Sequence, residues 1–303
     1  MKHQHFQLIL FVLYITLVTL LMTYMGIGIT LDRYAVILWA GAFLIHHNKH
    51  FIHDFSPFVL LLIAHDFLRG FADDINHHVH FLEPINVTKF FFNGHIPTIE
   101  LQNKFYTPGI LHWYDYAAAF LYLIHFAVPL LFAFYLWNIN KKYFREYMLA
   151  LVILSYAGFL SYILYPTAPP WLAAKMGFLP PITKILDVVL QNFPQRINLP
   201  TIYGFIGPNL VAAIPSMHAA YTFLTFLFSV RFFKLKGFIF FPYVLSMWLT
   251  IVYLGEHYFI DIVVGVIYCL VVFGISPVLI KNYHKFFKEI EDEARPVLKA
   301  LSG

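Results

Sequence analysis

Three short stretches hold residue types that could do chemistry in an otherwise apolar chain: IPSMHAAY (214–221), YLGEHYFIDIVVG (253–265) and LYPTAPPWLAAK (164–175). In the second, His257 and Asp261 stand four apart, which makes them neighbours on one face of a helix. A carboxylate in that position holds an imidazole in one tautomer and stabilises its cation, the orienting role in a catalytic triad. The same spacing recurs at His50 and Asp54, and a structural polar contact at a helix end would look alike. In the first stretch, Pro215 suits the opening turn of a helix, where no amide hydrogen bond is lost. Ser216 offers a hydroxyl and an amide near that end, and the free N–H groups there can seat a phosphate. His218 then lies within one turn of the anion. The alternative is a capped helix with a satisfied histidine.

Two histidines, one backed by a carboxylate, beside an anion-binding helix end fit phosphoryl transfer. His257 would attack phosphorus and form a phosphohistidine, splitting one hard step into two. His218 would protonate the departing alcohol oxygen and then take a proton from the acceptor. Water as acceptor makes such a protein a phosphatase; an alcohol makes it a phosphotransferase. The scheme needs neither metal nor cofactor, and none is expected.

The elements that must position these residues are membrane helices. The chain has 303 residues, of which 60% are hydrophobic and 12% charged, and its mean hydropathy is +0.70. A soluble domain carries about 25% charged residues. A formal charge of +4 with no basic run gives nucleic acid nothing to bind. The single cysteine, Cys269, excludes a disulfide framework and a thiolate metal site.

A bilayer core takes about 20 apolar residues per helix. The expected fold is therefore all-α and polytopic, with about eight transmembrane segments. They fall near 6–29, 34–46, 52–69, 113–137, 144–164, 211–230, 237–254 and 258–280, the second short enough to be re-entrant. The first is too long for a signal-peptide core and reads as a retained span. Three parts follow: N-terminal membrane helices (1–50), a catalytic membrane domain (51–280) with long loops at 70–112 and 165–210, and a tail (281–303). Lys49, Lys141, Lys142, Arg145, Arg231 and the tail share one side, which makes both termini cytoplasmic and both long loops extracytoplasmic. All three chemistry-bearing stretches then sit at outer ends of spans.

PSMH followed by HYFID resembles the second and third motifs of the type-2 phosphatidic acid phosphatase superfamily. YPTAPPW resembles the branch containing inositol phosphorylceramide synthases and their prokaryotic relatives. HDFLRGFAD (65–73), PTIELQNKFYTPG (97–109) and WYDYAAAFLYLIHFAVP (113–129) extend the likeness over roughly residues 65–265. The resemblance implies a six-helix phosphatase-like bundle core, with His257 as nucleophile, Asp261 orienting it and His218 as acid and base. It also implies transfer of a phospho-headgroup, inositol phosphate for example, from a phospholipid such as phosphatidylinositol to a lipid alcohol such as ceramide. The implied location is the plasma membrane, or the Golgi in a eukaryote. A lipid phosphate phosphatase using water, and a non-enzymatic lipid transporter or binding protein, are the alternatives.

The departures from the family pattern matter. The phosphatases place a lysine and an arginine before the position of Pro166, and an arginine where this chain has Ile251. Phosphoryl oxygens need such cations, so replacements are expected from Arg69, Lys175 and Arg196, in that order. Arg69 leads because a guanidinium at a span end is costly unless used, and its fork suits phosphate. Tyr165 and Trp171 are either interfacial anchors or headgroup-lining residues. Asn209 is a candidate hydrogen-bond donor to phosphate, and Asp73, Asp74 and Asp115 are candidates for a polyol headgroup. The histidine runs HHNKH (46–50) and HHVH (77–80) look like pieces of a membrane di-iron site, but they fall on opposite membrane sides and should not meet.

Overall fold

The computed structural model describes residues 49–69, 75–125, 127–192 and 209–301, with a few positions before residue 49. Most of the first two expected spans, Asp73, Asp74 and most of the HHNKH run lie outside the described residues. So do the side chains of the C-terminal tail.

The described chain is helical, and no strand occurs among the described residues. In order, the helices are α1 (Lys49–Arg69), α2 (Leu82–Phe91), α3 (Pro97–Phe105), α4 (Trp113–Leu123), α5 (Ala127–Ile139) and α6 (Lys141–Leu164). They continue as α7 (Pro170–Lys175), α8 (Ile185–Gln191), α9 (Met217–Phe233), α10 (Phe241–Tyr253) and α11 (Phe259–Leu301). Three helical stretches are long and apolar enough to cross a membrane: Lys141–Leu164, Met217–Tyr253 and Phe259–Asn282. A fourth is added if the bent pair α4 and α5 counts as one span.

The stretch Met217–Tyr253 doubles back on itself. Phe223 and Trp248 have ring centroids 5.7 Å apart, whereas 25 residues of straight helix would separate them by about 38 Å. The reversal is a 3₁₀ segment, Lys234–Phe240, between α9 and α10.

Helix α9 is the central element, packed on α6, α10 and α11. Its apolar contacts include Leu224 and Phe228, buried with Tyr147, Met148 and Leu154 of α6. Several polar groups inside this bundle find partners within it, as a lipid surround favours. Tyr147 and Thr225 pair at 2.8 Å, and Ser155 and Tyr221 at 2.7 Å. Arg231 at the far end of α9 pairs with buried Glu146 of α6 at 3.0 Å and donates to Ser276 of α11 at 3.1 Å. Leu160, Leu249, Ile267, Val271 and Val278 point outward and are exposed. Such a shell is anomalous in water and expected against acyl chains.

The two long connections contain more regular structure than expected. Helices α2 and α3 lie in the first, and α7 and α8 in the second. Thr167, from the proline-rich stretch, makes isolated parallel bridges to His80 and to Ala212. Thus the two connections and the entry to α9 are stitched together by backbone hydrogen bonds, among them Thr167 N–H to Val211 O (2.7 Å) and Ala213 N–H to Thr167 O (3.2 Å).

Candidate active site

The site forms where α9 and α11 begin side by side. Ser216 caps α9, its hydroxyl oxygen accepting from the Ala219 amide. Its own N–H donates to the Asp261 carbonyl at 3.0 Å. Gly265 permits this approach: a Cβ there would lie 2.7 Å from the Ser216 carbonyl oxygen. Tyr162 of α6 donates to the Pro215 carbonyl at 2.9 Å, which fixes the entry to α9 from the other side.

His257 lies just before α11 and is 5% exposed. Its Nδ1 is 3.2 Å from Asp261 Oδ2 and 3.1 Å from the Ala213 carbonyl oxygen. A carbonyl can only accept, so Nδ1 carries the proton and Nε2 carries the lone pair. Asp261 is fully buried and also accepts from the Tyr258 amide at 2.8 Å. His218 Nδ1 is 3.3 Å from His257 Nε2, and with that tautomer it is the donor of the pair. The His218 ring is itself held by two aromatic neighbours, Tyr122 (centroids 4.1 Å apart, stacked) and His125 (3.8 Å). A nucleophile with a fixed lone pair therefore faces a second imidazole able to move a proton.

Both histidines line a cavity of about 210 Å³. Its wall includes Trp171, Asn209, Lys184 and Glu256. The family model of the PAP2 superfamily matches residues 109–275, more than half of the chain. The chain belongs to the PAP2 superfamily.

Two curated relatives are similar to this PAP2 chain. The phosphoinositol dihydroceramide synthase of Bacteroides thetaiotaomicron is 28% identical over 193 residues, covering 59% of this chain and 62% of the relative. The inositol phosphorylceramide synthase of Candida albicans is 26% identical over 179 residues, covering 54% of this chain and 35% of the relative. The chain thus matches less than two thirds of the length of each. No solved structure matches it. Family membership and the assembled His–His–Asp group make this chain an enzyme of the PAP2 superfamily.

The other residues singled out from sequence divide between the PAP2 site and its surroundings. Trp171 lines the cavity, and its amide donates to the Gly255 carbonyl at 3.1 Å. Asn209 also lines it, with Oδ1 accepting from the Val211 amide at 3.0 Å. Tyr165 is not in the lining; it stacks on His80 with centroids 3.8 Å apart. Lys175 is exposed at the end of α7, one turn beyond Trp171 and outside the cavity wall. Asp115 is buried and accepts from the Tyr253 hydroxyl and the His112 amide, a structural cap of α4. Arg196 and the Arg69 side chain lie outside the described residues. Among the described residues no group of three or more His, Cys, Asp or Glu side chains is arranged to hold a metal.

Sequence reading missed Lys184 and Glu256. Among the described residues, Lys184 is the one lysine or arginine that lines the cavity. Its Nζ stands 4.8 Å over the Trp171 ring and 3.1 Å from Asp187. Glu256 is 8% exposed, with Oε1 lacking a hydrogen-bond partner. Burial pushes its carboxyl above the usual carboxylate range, while Lys184 and then His257 pull it partly back. Glu256 stood beside the quoted nucleophile motif, and an acidic side chain one residue from a buried histidine was the available signal.

Proposed function

We propose that this chain is a membrane-lipid phosphotransferase that moves a phospho-headgroup from a phospholipid to a lipid alcohol in two steps at His257. The observation that carries the reading is the pinned His257 ring, with Nδ1–H held by Asp261 and Ala213 and Nε2 turned toward His218. In the first step the Nε2 lone pair forms a bond to phosphorus as the bond from phosphorus to the diacylglycerol oxygen breaks. His218 gives that oxygen its proton. In the second step the acceptor hydroxyl loses its proton to His218 and attacks phosphorus, and the P–N bond breaks. Asp261 stabilises the imidazolium character that develops in each step.

The names of the two relatives support phosphatidylinositol as donor and a ceramide as acceptor. On this reading the catalytic unit runs over 51–280 as a six-helix core within about eight spans, with the site on the extracytoplasmic face and both termini in the cytoplasm. Asn209 and Trp171 contact the donor, with Tyr165, Lys175, Arg69 and Arg196 supplying the rim; Ser216, fully buried as the cap of α9, acts by holding that helix end in place.

The test is incubation of purified protein with labelled phosphatidylinositol, with and without a ceramide. A labelled lipid product formed only with ceramide is expected, and its loss in His257→Ala. Release of inositol phosphate regardless of ceramide would mean hydrolysis, and unchanged turnover in His257→Ala would sink the histidine mechanism.

A further inference from the structure

Glu256 is out of place beside a phosphate site. A buried carboxylate is unfavourable without hydrogen bonds, and next to phosphoryl oxygens it adds like-charge repulsion. Yet it stands in the cavity wall, adjacent in sequence to His257, with Oε1 unpartnered. Trp171 and Lys184 line the same wall, and the Lys184 ammonium is the leading charge that offsets the carboxyl. These three side chains come from three different segments: α7, the N-cap of α8, and the turn between α10 and α11. Gly255, at φ +83°, makes that turn and accepts the Trp171 amide, which holds the group together.

Resting on the transferase reading above, we propose that Glu256, Trp171 and Lys184 form the headgroup subsite of the donor. Lys184 takes the phosphate charge that the missing family cations would otherwise meet. The Glu256 carboxylate accepts hydrogen bonds from adjacent hydroxyls of a cyclic polyol, which supply the donors its Oε1 lacks. An ammonium headgroup would also suit a carboxylate beside an indole. Lys184 argues against it, because its ammonium already stands over the Trp171 face and would repel a second cation.

The experiment compares two donors, phosphatidylinositol and phosphatidylethanolamine, each with a ceramide acceptor, in wild type and in Glu256→Gln. The readout is the ratio of kcat/KM for the two donors, which a general loss of folded protein does not move. A hydrogen bond to a charged group is worth enough that the ratio should fall about tenfold or more toward parity, chiefly through KM for phosphatidylinositol. Lys184→Gln should instead lower kcat/KM for both donors. A ratio unchanged within about threefold, well under one such bond, overturns the subsite while leaving the transferase intact. A ratio that rises means Glu256 reads an ammonium, which also overturns it. Wild-type protein that uses neither donor overturns the parent reading and this inference with it.

Discussion

Asp261 does two things at once. Its Oδ2 accepts from His257 Nδ1 and from the Tyr258 amide, so the carboxylate fixes both the ring and the backbone that carries it. Asp261→Asn keeps the shape but removes the charge that supports the imidazolium, and turnover should fall by about 10²–10⁴-fold with little change in KM. Single-turnover kinetics would check this, and a loss below tenfold would remove Asp261 from the orienting role. Glu256 predicts the opposite relation between stability and function. Its carboxyl is raised by burial, so its favourable contribution is complete below the ordinary carboxylate range and is lost as pH rises through the raised value. Above the ordinary carboxylate range the raised carboxyl is therefore a burden on the fold. Glu256→Gln should melt at or above the wild-type temperature at neutral pH, with a flatter dependence on acid. Thermal unfolding in detergent across pH measures both, and a lower neutral melting point would show that the carboxylate is structural.

At the scale of elements, the site depends on how closely α11 lies against the start of α9. Gly265→Ala would place a Cβ against the Ser216 carbonyl and displace His257 and Asp261 from His218. Overpacking of this kind costs about 1–3 kcal/mol, and a displacement near 1 Å can cost about 10²-fold in rate. Gly274→Ala, on the same helix with open space around it, is the control and should leave both melting and turnover near wild type. Equal activity in the two variants would show that the close approach is dispensable. The same packing explains what could be read from sequence. Spacing alone paired His257 with Asp261, although His257 sits in the turn before α11 rather than on its face, and the PS pair marked the start of α9, because both signals are local in the chain. Trp171 and Asn209 lay in stretches already tied to span ends. That Lys184 and Glu256 share one wall was not legible, because the two segments are joined by long-range bonds, Ile185 N–H to the Leu254 carbonyl and the Gln102 side chain to Thr183 and Tyr253. Lys175 ranked ahead on charge alone, but one further turn of α7 carries it out of the wall.

Over the whole molecule, the polar chemistry gathers at one end of the bundle and the Glu146–Arg231 pair at the other. In the orientation proposed above, the second end faces the cytoplasm. Cys269, the sole cysteine, is buried, so introduced cysteines can report sidedness in the native background. Lys175→Cys should react with a membrane-impermeant maleimide in intact cells, and Lys142→Cys only after permeabilisation. The reverse pattern would invert the orientation.

The size of the cavity has a kinetic meaning. At about 210 Å³ it is smaller than the roughly 300 Å³ at which ligand pockets usually begin. On the two-step reading proposed above, a cavity of this size implies that donor and acceptor take turns, the donor's alcohol leaving into the surrounding lipid before the acceptor enters. Initial rates measured against both lipids should give parallel double-reciprocal lines, and the empty interval between them is when water has its chance.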